Sequence, residues 1–187
     1  MVTSTYLNNH FLIAMPALED PNFFHSVTYI CEHNDQGAMG LVINQPLDIA
    51  LSEVLTHMSI EISDNDMNFT PVYLGGPVQP ERGFVLHEPL GHWDSMLEIT
   101  DSVGITTSRD ILQAINDGKG PGRSLVALGY AGWAAGQLEQ ELVDNTWLTC
   151  PAETAIIFDT PTEKRWAAAA ASLGIDINTL SDNCGHA

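Results

Sequence analysis

Apolar and polar positions along this chain change over in short runs, and only a few stretches hold a helical period. Ser26–Cys31 and Met39–Ile43 are apolar segments on either side of the turn His33–Gly37, which predicts a β-hairpin. Leu51, Val54, Leu55 and Met58 then recur at helical spacing behind Asp48, a capable N-cap, so a short helix is expected. The acidic stretch Glu61–Asn68 reads as a surface loop. Pro71–Leu74 and Gly83–His87 are predicted strands bracketing Gly75-Gly76-Pro77, read as a hairpin-like bend with Arg82 in solvent. Two more short strands are expected at Met96–Ile99 and Val103–Thr106.

In the second half, Thr107-Ser108-Arg109-Asp110 carries the capping-box pattern, with Asp in the usual Glu place. Ile111, Leu112 and Ile115 give the helix a face, and Gly118 is its stop. A strand at Ser124–Leu128 then meets Gly129, Gly132 and Gly136, interleaved with Tyr130 and Trp133, before a helix over Gly136–Val143. These glycines permit close backbone approach, and Gly129 or Gly132 can take positive φ. Such a junction can offer free amides to an anion at a helix start, but small residues beside large aromatics more often serve packing. On the packing reading, Gly132→Val costs about 1–3 kcal/mol by overpacking.

Ala155–Phe158 reads as an apolar strand. Thr160-Pro161-Thr162-Glu163 predicts a helix start, with Thr160 at N-cap, Pro161 at N1 and Glu163 at N3. Trp166, Ala169, Ala170 and Leu173 form that helix's inner face before Gly174 ends it, and the tail from Asp182 is expected to fray. No repeat or low-complexity linker divides the 187 residues, so one domain with its core at about 7–177 is expected. Short turns between early strands rule out a strictly alternating doubly wound sheet. The expected class is α+β.

Charge narrows the function. Asp and Glu number 24 against 6 Lys and Arg, a formal net charge of −18. Nucleic-acid affinity needs several cations neutralising phosphates, so direct DNA contact is not expected, and a partner with a basic surface is. The first 18 residues lack a basic segment, and Phe11–Met15 is too short for a secretory core. No run approaches a membrane span. Three widely spaced cysteines, Cys31, Cys150 and Cys184, fit neither a disulfide framework nor a zinc motif, and a cytoplasmic location follows as an expectation.

No local motif names a reaction. His87-Glu88-Pro89-Leu90-Gly91-His92 has histidines five apart with a proline between them, not the i, i+4 helical pair of a zinc protease, so no metal is expected. Asp117–Ser124 has phosphate-loop composition but leaves a helix to enter a strand, the reverse of a nucleotide loop. Glu139 and Glu141 are two apart and face different sides of a helix, so they form no acid–base pair. The sequence GxSxG is absent. No cofactor is expected.

Several strings together resemble one bacterial family, AlgH/YqgE, over about Leu7–Ile177. They are Phe11–Pro16 with Asp20 and Asn22-Phe23; Gly37–Asn44; Gly75–Val78; and Phe84–His87. Leu128–Trp133 with Gly136–Glu139, then Asn145, Trp147-Leu148 and Phe158-Asp159, complete the set. The resemblance implies a mixed, largely antiparallel, bifurcated sheet partly curled into a small barrel and surrounded by helices. Some members are labelled transcriptional regulators tied to exopolysaccharide control, yet the family brings no catalytic residue set. Three functions compete. The first is a non-enzymatic binding or regulatory protein acting without DNA contact. The second is a small-ligand binder or enzyme with a pocket at the glycine turns, drawing on Asn44, Gly75, Gly76, Arg82, His87, Gly129, Trp133 and Glu139. The third is the transcriptional regulator of the label.

Overall fold

The computed structural model describes residues 6–63, 65–177 and 179. Ten strands run β1 (His10–Ala14), β2 (Val27–Asn34), β3 (Gly37–Val42), β4 (Pro46–Ala50), β5 (Pro71–Leu74), β6 (Val78–Glu88), β7 (Met96–Glu98), β8 (Gly104–Thr106), β9 (Arg123–Ala134) and β10 (Trp147–Pro151). Among the described residues the α-helices are α1 (Leu51–His57), α2 (Arg109–Asn116), α3 (Gln137–Val143), α4 (Thr154–Phe158) and α5 (Arg165–Ala171). The class is α+β, and the largely antiparallel sheet curls into a half-barrel. No helix among the described residues is long and apolar enough to cross a membrane.

The sheet divides along β9. One edge of β9 pairs with β6 over most of its length, while the other is shared. Val126–Leu128 pair in parallel with β5, and Ala131–Ala134 pair antiparallel with β3. β2 and β3 form the expected hairpin, closed by Asn34 opposite Gly37, with β1 and then β10 beyond β2.

Side-chain alternation sorts the core into three layers. Phe11, Ile13, Val27, Tyr29, Leu41, Tyr73, Phe84, Leu86, Leu125 and Ala127 line the inner face, covered by Ile156 and Ile157 of α4 and Ala169 of α5. On the outer face of the β1–β2–β3 half, Leu12, Ala14, Ile30, Ala131, Trp133 and Trp147 pack against Leu138 of α3. On the other half, Val72, Val85 and Val126 pack against Leu51 and Leu55 of α1 and Ile111 and Leu112 of α2.

β9 serves all three layers because its alternation changes parity midway. Leu125 and Ala127 face inward and Val126 outward, yet farther along Ala131 and Trp133 face outward. An unbroken strand would put odd positions on one face throughout. The change falls at Gly129, whose φ of +77° marks a bulge, where the pairing with β6 also loses register. Gly129 therefore takes the positive φ expected for one of the two glycines. Gly132 stays in ordinary extended backbone.

Several local expectations are corrected. β5 and β6 are not a hairpin, because β9 lies between them and pairs with both. The strand predicted to end at Leu128 continues to Ala134, since β3 supplies a partner beyond the glycines. Asp48 does not cap α1: pairing of Ala50 with Pro71 holds the chain extended until Ala50, whose N–H is accepted by Glu53 Oε2 at 2.9 Å. The N-cap position of α2 is Ser108, one residue later than the box implied and without a side-chain cap bond; the Thr107 N–H is spent on the Ser95 carbonyl. Gly118 does terminate it, at φ +73°.

Ala155–Phe158 is helical, not extended; four apolar residues carry no period that separates the two states. Thr160 is not an N-cap, since its hydroxyl donates to Ala155 O, and a 3₁₀ turn over Thr162–Lys164 precedes α5. Leu173 is exposed and not part of the inner face. The strands β1, β4 and β10 went unassigned in the sequence. The tail from Asp182 lies outside the described residues.

Candidate functional site

The residues singled out from the sequence fall into separate settings. Gly75, Gly76 and Gly129 meet at the fork of the sheet, backbone against backbone. A Cβ on Gly75 would lie 2.4 Å from Gly129 O, one on Gly76 2.1 Å from the Tyr130 carbonyl carbon, and one on Gly129 2.5 Å from Gly76 O. The Gly75 N–H donates to Leu128 O, and Gly75 O accepts from Val42 N–H. These glycines let three strands converge, and the Gly75 amide serves the sheet.

Asn44 is a latch on the turn after β3: its Oδ1 accepts from Val27 N–H at 2.9 Å and its Nδ2 donates to His25 O at 2.9 Å. His87 is fully buried, with Nδ1 3.0 Å from Pro89 O and Nε2 2.7 Å from Thr106 Oγ1. Burial pushes its pKa below the ordinary histidine value, opposed by the Pro89 carbonyl. His92 is exposed, so the two histidines of that segment do not share a site. Among the described residues no group of three metal-ligating side chains occurs.

Glu139 meets a partner that sequence reading could not pair with it. His33, 106 positions away, places Nε2 2.6 Å from Glu139 Oε1, and its Nδ1 accepts the Leu7 N–H at 2.9 Å. With Nδ1 occupied as an acceptor, the neutral ring carries its proton on Nε2 and donates it to Glu139. A hydrogen bond from its own backbone amide, and a smaller one from His33, hold the Glu139 carboxyl below the usual range. One residue pair farther along α3, Glu141 Oε1 accepts both indole N–H groups, from Trp133 at 3.3 Å and Trp147 at 3.2 Å. Both carboxylates therefore dock α3 on the sheet.

These arrangements leave little for acid–base or nucleophilic chemistry. Both ring nitrogens of His33 and of His87 are engaged. Burial raises the thiol pKa of Cys31 and of Cys150, which keeps both protonated. The Asp117–Ser124 loop ends α2 and starts β9, and its Arg123 is held by Glu88 at 3.5 Å and Asp159 at 2.9 Å.

Two hollows remain. The larger, about 850 Å³, is an open groove between the β3–β9 pair and β7–β8. It collects two of the predicted residues, Arg82 and Trp133, beside Met39, Phe84, Met96 and Tyr130. Glu32 and Asp94 add acidic groups, and the Arg82 guanidinium lies 5.4 Å over the Phe84 ring. Gly132 opens onto this groove: it is exposed, and a Cβ there would meet only the edge of the Tyr130 ring at 3.3 Å. That contact is closer than ordinary packing, so any overpacking by Gly132→Val falls on the Tyr130 ring. The second hollow, about 510 Å³ with mostly apolar walls, lies between α1, α2 and the outer face of β6 and β9. Phe84 and Thr107 line both hollows. The α1–α2 hollow was not legible in sequence, because its walls come from six separate elements.

Comparison with known proteins agrees with this geometry. A family model described as AlgH-like matches residues 11–178. A UPF0301 protein of Nitrosococcus oceani is 57% identical over 187 residues, all of both chains, and one of Thioalkalivibrio sulfidiphilus is 60% identical over the same span. The solution structure of the AlgH protein from Pseudomonas aeruginosa matches with TM-score 0.82 and 52% identity, covering 100% of this chain and 99% of that one. A crystal structure of a Corynebacterium diphtheriae protein shares the fold at 19% identity and TM-score 0.77, covering 97% and 94% of the two chains.

Proposed function

This chain belongs to the AlgH-like family, and from that premise we propose that it is a non-enzymatic binding protein. It recognises a basic, partly apolar segment of a partner protein in the groove between β3–β9 and β7–β8. The groove itself is the observation that carries this reading. Methionine and aromatic side chains, the residue types that adapt to and anchor protein partners, line it beside Glu32 and Asp94. A molecule of net charge −18 attracts a cationic segment at long range and repels an acidic one.

Direct DNA contact is a poor fit to the disposition of the cations. Arg165 is buried, donating to Thr160 O and Ile43 O, and Arg123 is held by two carboxylates. Arg109 lies across the carbonyls of Met58 and Ser59. That leaves Arg82, Lys119 and Lys164, on three different elements of the surface, too few to neutralise a run of phosphates.

Selection of peptides from a random library on the immobilised protein tests the proposal. Selected peptides are expected to combine Lys or Arg with large apolar residues, and to bind more weakly as salt rises. Gly132→Val puts a branched side chain into the groove against the edge of the Tyr130 ring, the one neighbour that has to shift, and it is expected to leave the protein folded, read from its melting curve, and to weaken those peptides at least about tenfold, equivalent to about 1.4 kcal/mol. Peptides without basic residues, or binding untouched by Gly132→Val, would remove the groove from consideration. Salt-sensitive binding to duplex DNA at physiological ionic strength would instead favour the gene-control reading.

A further inference from the structure

The hollow between α1 and α2 is a different kind of place from the groove. Here Val85, Val126 and Leu128 of the sheet face a recess walled by Val54 and Met58 of α1 and Leu112 of α2. Gly83 helps keep it open: it lines the recess without a side chain, and a Cβ there would meet nothing closer than 4.0 Å. At about 510 Å³ it falls within the size range of small-molecule sites, about 300–1,000 Å³.

Its ionisable lining is acidic. Glu53 and Glu81 are exposed members of the wall, and among the described residues His57 is the only potential cation lining it. Glu53 is fixed at the start of α1 by the Ala50 N–H on its Oε2. The nearby Arg109 points its guanidinium at the Met58 and Ser59 carbonyls. An apolar recess with two carboxylates suits a ligand that is apolar along its body and positive at one end.

We propose that the α1–α2 recess is a binding site for a small amphipathic cation, an alkyl or aryl ammonium compound, separate from the partner groove. The carboxylates of Glu53 and Glu81 take the charged end, and Val126, Leu128 and Leu112 take the apolar body.

Methyl-detected NMR titration of the full chain at pH 7 with octylammonium and octanoate below their micelle concentrations, and octanol below its solubility, tests the site. Octylammonium is expected to shift the methyls of Val54, Leu112, Val126 and Leu128, and to bind ~3-fold or more tighter than octanol, with octanoate weakest. Glu53→Gln with Glu81→Gln keeps an acceptor for the Ala50 N–H, and is expected to abolish the preference for the ammonium while octanol binding persists. If none of the three compounds moves these methyls, the recess is not a site. If octanoate binds as well as octylammonium, or the double variant keeps the preference, the cationic class is wrong.

Discussion

Gly129→Ala is expected to lower the free energy of unfolding by roughly 3 kcal/mol or more, read as a shift in the urea midpoint. Two costs combine. An L-residue with a side chain pays about 1–2 kcal/mol in left-handed backbone, and Gly129 sits at φ +77°. Its Cβ would also lie 2.5 Å from Gly76 O and 3.1 Å from Pro80 Cα, where backbone rather than a pliable side chain has to move. Overpacking of that sort adds about 1–3 kcal/mol. Gly118→Ala is the matched control, with φ +73° but nothing within 4 Å of the new Cβ, and it is expected to lose only about 1 kcal/mol. Equal losses at the two positions would mean that the fork is not closed as described. Relief of the clash by straightening β9 carries its own penalty, because a one-residue change of register would turn Ala131 and Trp133 to the wrong face.

His87→Ala is expected to cost about 3 kcal/mol or more. Removing a fully buried ring leaves a cavity, and Thr106 Oγ1 and Pro89 O lose their partner. The variant should also titrate differently. Burial lowers the His87 pKa in the folded protein, so the unfolded chain binds a proton there more readily. Wild-type stability is therefore full above the ordinary histidine pKa, about 6.5, and declines as pH falls from there toward the folded value, with a slope of at most about 1.4 kcal/mol per pH unit. His87→Ala should make that slope shallower. A smaller slope remains from His25, whose pKa burial also lowers. Identical pH profiles for the two proteins would show that His87 takes up its proton as easily folded as unfolded.

What the sequence revealed depended on whether the cause was local. The β2–β3 hairpin was legible because Gly37 closes a short turn between two apolar runs, and α2 was legible because Ile111, Leu112 and Ile115 share a face before Gly118. Ala155–Phe158 was misread because so short an apolar run has no period, and packing on the inner face decided its state. β1 escaped notice for the opposite reason. Phe11–Ala14 are buried on both faces, between α5 on one side and the α3 layer on the other, so no alternation advertises a strand. The cluster of predicted site residues was drawn from strand ends and turns. The fold uses Gly75, Gly76 and Gly129 to bring backbones together, and Asn44, His87 and Glu139 to tie segments far apart in sequence. Only Arg82 and Trp133 line a common hollow. The recess under α1 and α2 depends on spatial neighbours such as Val54, Leu112 and Val126, which no linear spacing connects.

The shared strand also sets a timetable for the newborn chain. β3 ends at Val42, but its second neighbour, β9, is complete only at Ala134, so the ribosome adds 134 − 42 = 92 residues between them. At bacterial speeds that interval is on the order of ten seconds. By its later part β3, β5 and β6 each show one bare edge, and a bare edge is a template for mispairing with another nascent chain. Arrest of translation just before codon 123 should therefore yield an insoluble fragment, whereas release past α5, which with α4 covers the inner face, should yield a soluble one.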